Sequence, residues 1–152
     1  MASQNSTMYT AQIAAGAPTI ASTEAGGRVR CVSDTYLTTS AVTAGSQTIT
    51  LCKLPAGAKV ISAELIVPAG VGTSSAKLGY GTFDAAGTVT VVDDDRWGSG
   101  VDLSSAARKQ FVTVAADADY VTTSDVAVVL SPVTTNFATA ITFAFVIQYV
   151  TD

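Results

Sequence analysis

The side chains of this chain that could take part in chemistry are mainly carboxylates, because the sequence contains no histidine. That absence excludes catalytic sites in which histidine activates serine or cysteine, and it removes most zinc sites. Three consecutive aspartates, 93–95, lie near Asp84 and Asp102 and carry the oxygen ligands that calcium prefers. The run lacks the aspartate spacing and the closing glutamate of an EF-hand, and adjacent side chains of an extended segment point in different directions. We therefore favour a solvated loop over a calcium site.

Paired carboxylates could instead serve as the acid and base of a glycoside hydrolase. Glu64 lies in the middle of a predicted strand without an evident carboxylate partner. Aromatic residues that could line a sugar subsite make up only 7% of the chain. We predict that the protein is not an enzyme and that it holds no metal ion and no cofactor.

The two cysteines and the single tryptophan each allow two interpretations. Cys31 and Cys52 could face each other on neighbouring strands, but two small, buried free thiols are the favoured interpretation. Trp97 lies between Arg96 and Gly98 in a polar segment. In an exposed loop it would contact a partner, and we predict it as a contact residue; burial against its own sheet is the alternative.

Composition and charge limit the possible partners. The chain has 152 residues, enough for one domain with a sizeable core, and its formal net charge is -4. Its eight lysines and arginines are scattered, which argues against a nucleic-acid partner. The sequence has no apolar run long enough to cross a membrane and no basic, apolar leader, so we predict neither membrane contact nor a signal peptide.

The element that would position these residues is a pair of strands around residues 46–68. Ile49 and Leu51 alternate with polar residues, Leu54–Gly57 forms a proline–glycine turn, and alternation resumes at 58–67. We predict an antiparallel hairpin. Its second strand should bury the following face: Ile61, Ala63, Leu65 and Val67.

The clearest predicted core strand is the last one, residues 139–150. Five large side chains alternate along it: Ile141, Phe143, Phe145, Ile147 and Tyr149. Residues 93–108 are polar and rich in turn-forming residues, with one or two helical turns possible at 103–109. Some eight short strands without a long helical period predict an all-β protein, a single antiparallel β-sandwich that is jelly-roll-like.

Residues 1–27 differ from the rest of the chain. They contain one charged residue, Glu24, and are rich in alanine, serine, threonine and glycine. We predict an extended N-terminal arm, 1–27, and a β-sandwich domain, 28–152; the arm is either a loose end or a segment ordered only against a neighbouring subunit. The predicted contact residues of the arm are its apolar side chains: Met8, Tyr9, Ile13 and Ile20.

Residues 54–61, 65–67, 78–81 and 147–150 together resemble a pattern of tailed-phage virion proteins, in which a Leu-Pro-x-Gly-x-x-Val turn precedes a strand and a Gly-Tyr strand follows. The chain is similar in this respect to small capsid decoration, or cement, proteins. The resemblance implies a jelly-roll-like protein on the exterior of a virion, made in the host cytoplasm, that binds the major capsid protein and stabilises contacts between its subunits. Short glycine-bearing strands and low surface charge leave sheet edges that need cover, so we also predict a homo-oligomer, and the resemblance favours a trimer.

Two other classes of function remain open at this point. A receptor- or carbohydrate-binding module of a virion, in a head fibre or tail, should carry an aromatic patch in its distal loops, for which Phe83, Trp97 and Tyr120 are available. A small enzyme would need a nucleophile and a base, and the sequence points to no such set. The favoured interpretation is a structural protein that stabilises a shell.

Overall fold

Nine strands form two sheets in the computed structural model, which describes residues 2–5, 29–68, 71, 74–112 and 119–151. The strands are β1 (Ala2–Asn5), β2 (Val29–Leu37), β3 (Gln47–Leu54), β4 (Ala58–Val67), β5 (Ser75–Phe83), β6 (Val89–Asp102), β7 (Ala107–Gln110), β8 (Val126–Pro132) and β9 (Thr142–Thr151). One sheet has the order β1-β3-β8-β5-β6 and the other has the order β2-β9-β4-β7. Within these ranges there is no helix that could cross a membrane.

The strand order is that of one long antiparallel hairpin wound around the core. β5 pairs with β6 at the closed end, and then β4 pairs with β7, β3 with β8, and β2 with β9. Successive pairs lie alternately in the five-stranded and the four-stranded sheet. This winding is the arrangement of a jelly-roll-like sandwich, so the predicted fold class is confirmed.

The predicted hairpin of β3 and β4 is wrong, because the turn between them crosses from one sheet to the other. The turn itself forms where the sequence predicts it, and Gly57 has a φ of 78°. Thr122 holds it in place: its Oγ1 donates to the Pro55 carbonyl at 2.7 Å and accepts from the Ala58 N–H at 2.9 Å. A proline–glycine turn indicates a change of direction, but it does not indicate whether the next strand joins the same sheet.

A β-bulge in β4 changes which side chains face the core. The register against β9 shifts between Val60 and Ser62, so Val60 is buried and Ile61 is 38% exposed. The prediction that Ile61 belongs to the core is therefore wrong, since the extra residue reverses the alternation at that point. Beyond the bulge the predicted face is confirmed, with Ala63, Leu65 and Val67 buried.

The predicted core strand is confirmed in β9 and the residue before it. Ile141, Phe143, Phe145, Ile147 and Tyr149 are all buried. They form one continuous core with side chains from both sheets. The other predicted core residues that are buried are Ile49, Leu51, Leu65 and Val67.

The segment predicted to be turn-rich, 93–108, contains most of β6 and the start of β7 instead. The one or two helical turns considered for 103–109 are absent; β7 begins at Ala107 and pairs with β4. β6 lies very close to β5: a Cβ atom added to Gly79 would lie 2.0 Å from the Asp93 carbonyl oxygen. Only glycine allows that approach, so the short strand Lys77–Gly81 carries the backbone contact that its glycines suggested.

Both cysteines are free, but they differ in environment. Cys52 is buried, and burial raises the pKa of its thiol, with the negative charge of Asp34 adding to the effect. Cys31 lies on the exposed side of β2, so the prediction that both thiols are buried is wrong for Cys31. Strand β2 is an edge strand with a solvated outer face, which the short pattern around Cys31 did not reveal.

Candidate interaction surface

The predicted contact residues are not brought together in the described part of the molecule. Trp97 lies in β6 and its side chain has 0% of its surface exposed, so its placement in an exposed loop is wrong and burial against its own sheet is what occurs. Met8, Tyr9, Ile13 and Ile20 lie outside the described residues. Of the predicted arm, the structure describes Ala2–Asn5, which form β1.

Trp97 forms an aromatic cluster with Tyr80 and Tyr120. The two tyrosine rings stack at 5.1 Å, and Trp97 meets Tyr120 edge-on at 6.3 Å. The Arg96 guanidinium lies 4.9 Å from the Tyr120 ring, a cation–π contact. Burial, followed by a hydrogen bond with Tyr80, raises the pKa of Tyr120 to about 12. The cluster packs against the core. No pattern in the residue types indicated that Tyr120 would join it.

The three adjacent aspartates pair with cations rather than converge on one point. Asp93 accepts from Arg96, at 2.8 Å to one guanidinium nitrogen. Lys77 lies 3.4 Å from an Asp94 oxygen and 3.9 Å from an Asp95 oxygen. Within the described ranges no group of three or more potential metal-ligating side chains is assembled. The three aspartates are therefore the acidic partners in ion pairs with Lys77 and Arg96.

Other carboxylates stabilise turns. Asp84 accepts from the N–H groups of Ala86 and Thr88, and these hydrogen bonds lower the pKa of its carboxyl. The backbone N–H and hydroxyl of Ser104 act in the same way on the pKa of Asp102. The lowered pKa values keep the Asp84 and Asp102 carboxyls ionised at neutral pH, whereas a general acid must be protonated.

The half of the four-stranded sheet formed by β2 and β9 has an uncharged outer face. Alternation places ten outward positions on β2 and β9, and none of them carries a charged side chain. They are Val29, Cys31, Ser33, Thr35, Leu37, Thr142, Ala144, Val146, Gln148 and Val150. We call this set the four-strand face.

Four of the seven large apolar residues that are exposed in the described part of the chain lie on the same sheet. They are Val29 and Leu37 on β2 and Ile61 and Ile66 on β4; the other three, Val92, Val121 and Val133, lie elsewhere. Charged pairs lie on the neighbouring strand β4, where Lys59 is opposite Val150 and Glu64 is opposite Val146. Glu64 pairs with Arg108, and Lys59 pairs with Asp119 at 3.0 Å. An uncharged, partly apolar sheet face of this kind favours contact with another protein.

The five-stranded sheet has a different outer face. Lys77 and its aspartate partners lie there, and Lys53 reaches both Asp125, at 2.8 Å, and the Phe83 ring, at 4.5 Å. The hydrogen bond that Lys53 donates to the Asp125 carboxylate lowers the pKa of Asp125, and a hydrogen bond from the Ala56 N–H adds to the effect. Charged groups fixed in pairs lose hydration when covered, so this face is the less suitable one for a dry contact.

A small depression of about 110 Å³ opens beside β3 and β8. Its described lining consists of residues 45–48 and 131–133 with Lys77 and Asp94, and it includes no aromatic side chain. A sugar subsite normally presents an aromatic ring to the sugar face, so this depression does not have the composition of a carbohydrate site.

Comparison with known proteins gives likenesses of structure. No family model and no curated protein matches the chain. A chain in the structure described as "Capsid of Ralstonia phage GP4" is 19% identical, with a TM-score of 0.70, and the alignment covers 99% of this chain and 98% of that one. A chain in "Cyanophage Pam1 capsid asymmetric unit" is 22% identical, with a TM-score of 0.54, covering 91% and 96%. This protein therefore shares its fold, nearly from end to end, with chains found in two phage capsid structures.

Proposed function

We propose that this protein is a structural component of a phage virion, a decoration or cement protein on the outer surface of the head. The observation that carries the proposal is the alignment with a chain of the Ralstonia phage GP4 capsid, which covers nearly all of both chains. The two chains are therefore of about the same length. A small chain of this kind suits an accessory role beside a major capsid protein.

The proposed contact surface is the four-strand face, with the major capsid protein as its partner. Its ten outward positions lack charge, so covering these positions removes apolar area from water without burying an ion among them, and the ion pairs of Lys59 and Glu64 on β4 would lie at the border of the contact. The charged outer face of the five-stranded sheet would then remain in solvent. This orientation follows from the contrast between the two faces.

Binding of this kind stabilises a shell by mass action. A protein that binds the assembled shell better than free subunits lowers the free energy of the shell, by about 2.7 kcal/mol per site at one hundred times the dissociation constant. Contacts that bridge neighbouring subunits would resist outward pressure from packaged DNA.

We further propose that residues 1–27 act as a docking arm for the domain 28–152. Met8, Tyr9, Ile13 and Ile20 would supply its apolar contacts, and the near absence of charge in the arm makes their burial inexpensive in desolvation. Trp97 has no part in this contact, since its side chain has no exposed surface.

The protein is also proposed to be a homotrimer. Edge strands such as β2 need cover, and the low charge of the four-strand face gives little protection against self-association. Light scattering of the purified protein tests this proposal. The effective concentration between neighbouring partners in an assembly is on the order of a millimolar. A protein that stays monomeric at all concentrations up to about a millimolar would therefore contradict the proposal.

The capsid proposal is tested by adding purified protein to heads that lack it, followed by sedimentation and measurement of occupancy. Thr35→Arg places a charge on the four-strand face, and Thr90→Arg places one on an exposed position of β6 as a matched control. From occupancy measured over a series of concentrations, we expect the affinity for heads to fall at least tenfold for Thr35→Arg, equivalent to about 1.4 kcal/mol, and to be unchanged for Thr90→Arg. If the unmodified protein does not bind heads, the function is wrong; if both variants bind equally, the surface is wrong.

A further inference from the structure

We propose that β1 is an exchangeable strand, which pairs with β3 of its own chain in dilute solution and with β3 of a second copy where copies are concentrated. The inference rests on the place of β1 in the fold and does not depend on the proposed function. The occupant of the β3 edge is thus a segment of this protein, supplied either by the same chain or by another copy.

β1 stands outside the wound hairpin that makes the domain. The four antiparallel strand pairs involve only β2 to β9, and they form without any contribution from β1. β1 instead joins β3 in parallel, with Ala2 opposite Gln47 and Asn5 opposite Thr50. It lies at the edge of the five-stranded sheet, so one strand neighbour holds it among the described residues.

The pairing is short and made by residues that favour strands weakly. β1 has four residues, Ala-Ser-Gln-Asn, with no large apolar side chain to bury. Alanine and asparagine are depleted in strands, and parallel pairing is slightly less stable per residue than antiparallel pairing. A short edge strand of this kind belongs to the least stable part of a fold, and its release leaves the core unchanged.

The connection from β1 to β2 is long enough for β1 to pair either with β3 of its own chain or with β3 of a second copy. The chain leaves β1 at Asn5, beside Thr50, and enters β2 at Val29, whose partner on β9 is Val150. Val150 pairs with Lys59 near the start of β4, just past the turn that follows β3, so both points lie toward the same end of the sandwich. The path between them is at most about 35 Å, given strand and sheet spacings.

Residues 6–28 make up the connection, and 23 residues can span up to about 80 Å. That length is more than twice what the intramolecular path requires, so the β3 edge of an adjacent copy is also within reach. For copies that are not already assembled with one another, competition between the two arrangements depends on concentration, because a tethered strand has an effective concentration on the order of a millimolar at its own site. Exchange should therefore be rare at about 10 µM and approach one half at about 1 mM, where the two concentrations are equal.

The test uses a disulfide that can form only across the β1–β3 pair. Cys31→Ser removes the exposed thiol, and Ala2→Cys and Gln47→Cys are introduced into this background, separately and together. Paired positions on adjacent strands lie within disulfide range. The double variant should give an intramolecular disulfide at about 10 µM and a growing share of linked dimers as the concentration approaches 1 mM. If it forms no disulfide at any concentration, β1 does not pair with β3 and the proposal is overturned.

A mixture of the two single variants tests exchange directly, because only β1 of one copy on β3 of the other can link them. We expect the mixed dimer to increase at least tenfold between about 10 µM and 1 mM, measured by non-reducing electrophoresis after alkylation. Ala2→Cys mixed with Gln110→Cys, on the far edge strand β7, gives the background from random collision. A mixed dimer no more abundant than this background, while the double variant still closes within one chain, would show that β1 does not exchange.

Discussion

The Phe145 side chain is the clearest example of how a single residue contributes to this fold. It lies on the buried face of β9 with 1% of its surface exposed, between the two sheets. β9 pairs with β2 on one side and β4 on the other, so its inward side chains reach the core from the middle of the four-stranded sheet. A central position with partners on both sides leaves little freedom for neighbours to fill a cavity.

Phe145→Ala should lower the free energy of unfolding by about 3–5 kcal/mol, because it removes buried apolar surface and leaves a void. Denaturant unfolding measures the change. Gln148→Ala is the matched control, since Gln148 is exposed on the same strand and its loss should change stability by no more than about 0.5 kcal/mol. Similar small effects for both variants would show that β9 does not bury its aromatic face.

The pKa of Tyr120 predicts how stability depends on alkaline pH. Burial and the hydrogen bond with Tyr80 raise the pKa of Tyr120 in the folded protein to about 12 from its ordinary value of 10.0. Because the neutral phenol is the form that folding favours, this contribution is fully present below pH 10 and is lost as pH rises through 12. Because the Tyr120 ring is partly exposed, solvent screening reduces this contribution to stability, and we expect the effect to be modest.

Tyr120→Phe should remove this contribution, and its stability should therefore fall less steeply than that of the unmodified protein across the same pH window. Denaturant unfolding at a series of pH values measures the two slopes. Tyr80→Phe removes the hydroxyl that pairs with Tyr120 but keeps the Tyr120 phenol. The dependence of its stability on pH should therefore be intermediate between those of the unmodified protein and Tyr120→Phe. Parallel slopes for all three proteins would contradict the raised pKa.

Individual residues also show where sequence patterns fail. Alternation placed the inward residues of β9 correctly, because that strand is regular throughout. It placed Ile61 wrongly, because a single extra residue in a bulge reverses the pattern and leaves no mark in the residue types. Trp97 was assigned to a loop from its polar neighbours, yet those neighbours are ion pairs on the outside of a strand whose inner side is aromatic.

At the scale of elements, the contact between β5 and β6 determines the shape of the five-stranded sheet at its edge. The register between the two strands shifts repeatedly, and β6 approaches so closely that Gly79 faces the backbone of Asp93 and Asp94. Gly81 is similarly close to the Thr90 carbonyl, at 2.6 Å from an added Cβ. Backbone atoms cannot move aside as a flexible side chain can, so both positions require glycine.

Gly79→Ala should therefore separate β6 from β5 and lower the free energy of unfolding by about 3 kcal/mol or more, as other overpacked backbone contacts do. Gly45→Ala is the control: nothing lies near its added Cβ, and only its φ of 73° opposes the change, which costs about 1–2 kcal/mol. Thermal or denaturant unfolding ranks the two variants. An equal or smaller effect at Gly79 would contradict the close approach of the strands.

The order of strands within the sheets was the part of the fold least accessible from sequence. The positions of β3, β4 and β9 and the Leu54–Gly57 turn followed from alternation and from turn-forming residues, which are local properties, whereas most of β6 and the start of β7 fell in a segment expected to be turn-rich. Sheet membership depends on contacts between distant residues, such as the hydrogen bonds of Thr122 with the Pro55 turn. Strand β1 also escaped prediction, because its four small and polar residues carry no alternating pattern.

At the scale of the whole molecule, charged side chains are unevenly distributed over the two sheets. The four-strand face is uncharged at its β2 and β9 positions, whereas the opposite sheet carries ion pairs around Lys53 and Lys77. Two further ion pairs, Glu64–Arg108 and Lys59–Asp119, border the four-strand face on β4. The sequence indicated low charge overall, but only the winding of the strands shows that the uncharged positions share one face.

Deletion of residues 1–25 tests the proposed arm at this scale. The four antiparallel strand pairs remain, so the melting temperature should fall by no more than about 4 °C, the change expected for loss of about 1 kcal/mol from a domain of this size. Occupancy on heads that lack the protein should fall at least tenfold, because the apolar contacts of the arm are lost.

A full-length variant with serine at Met8, Tyr9, Ile13 and Ile20 separates the contacts of the arm from its presence. If these side chains bind the shell, the variant should lose as much occupancy as the deletion while retaining β1. If the deletion binds weakly but the serine variant binds fully, backbone pairing or the length of the arm carries the contact instead. Full occupancy for both, alongside normal binding of the unmodified protein, would leave the four-strand face as the surface that binds the shell and would exclude a docking role for the arm.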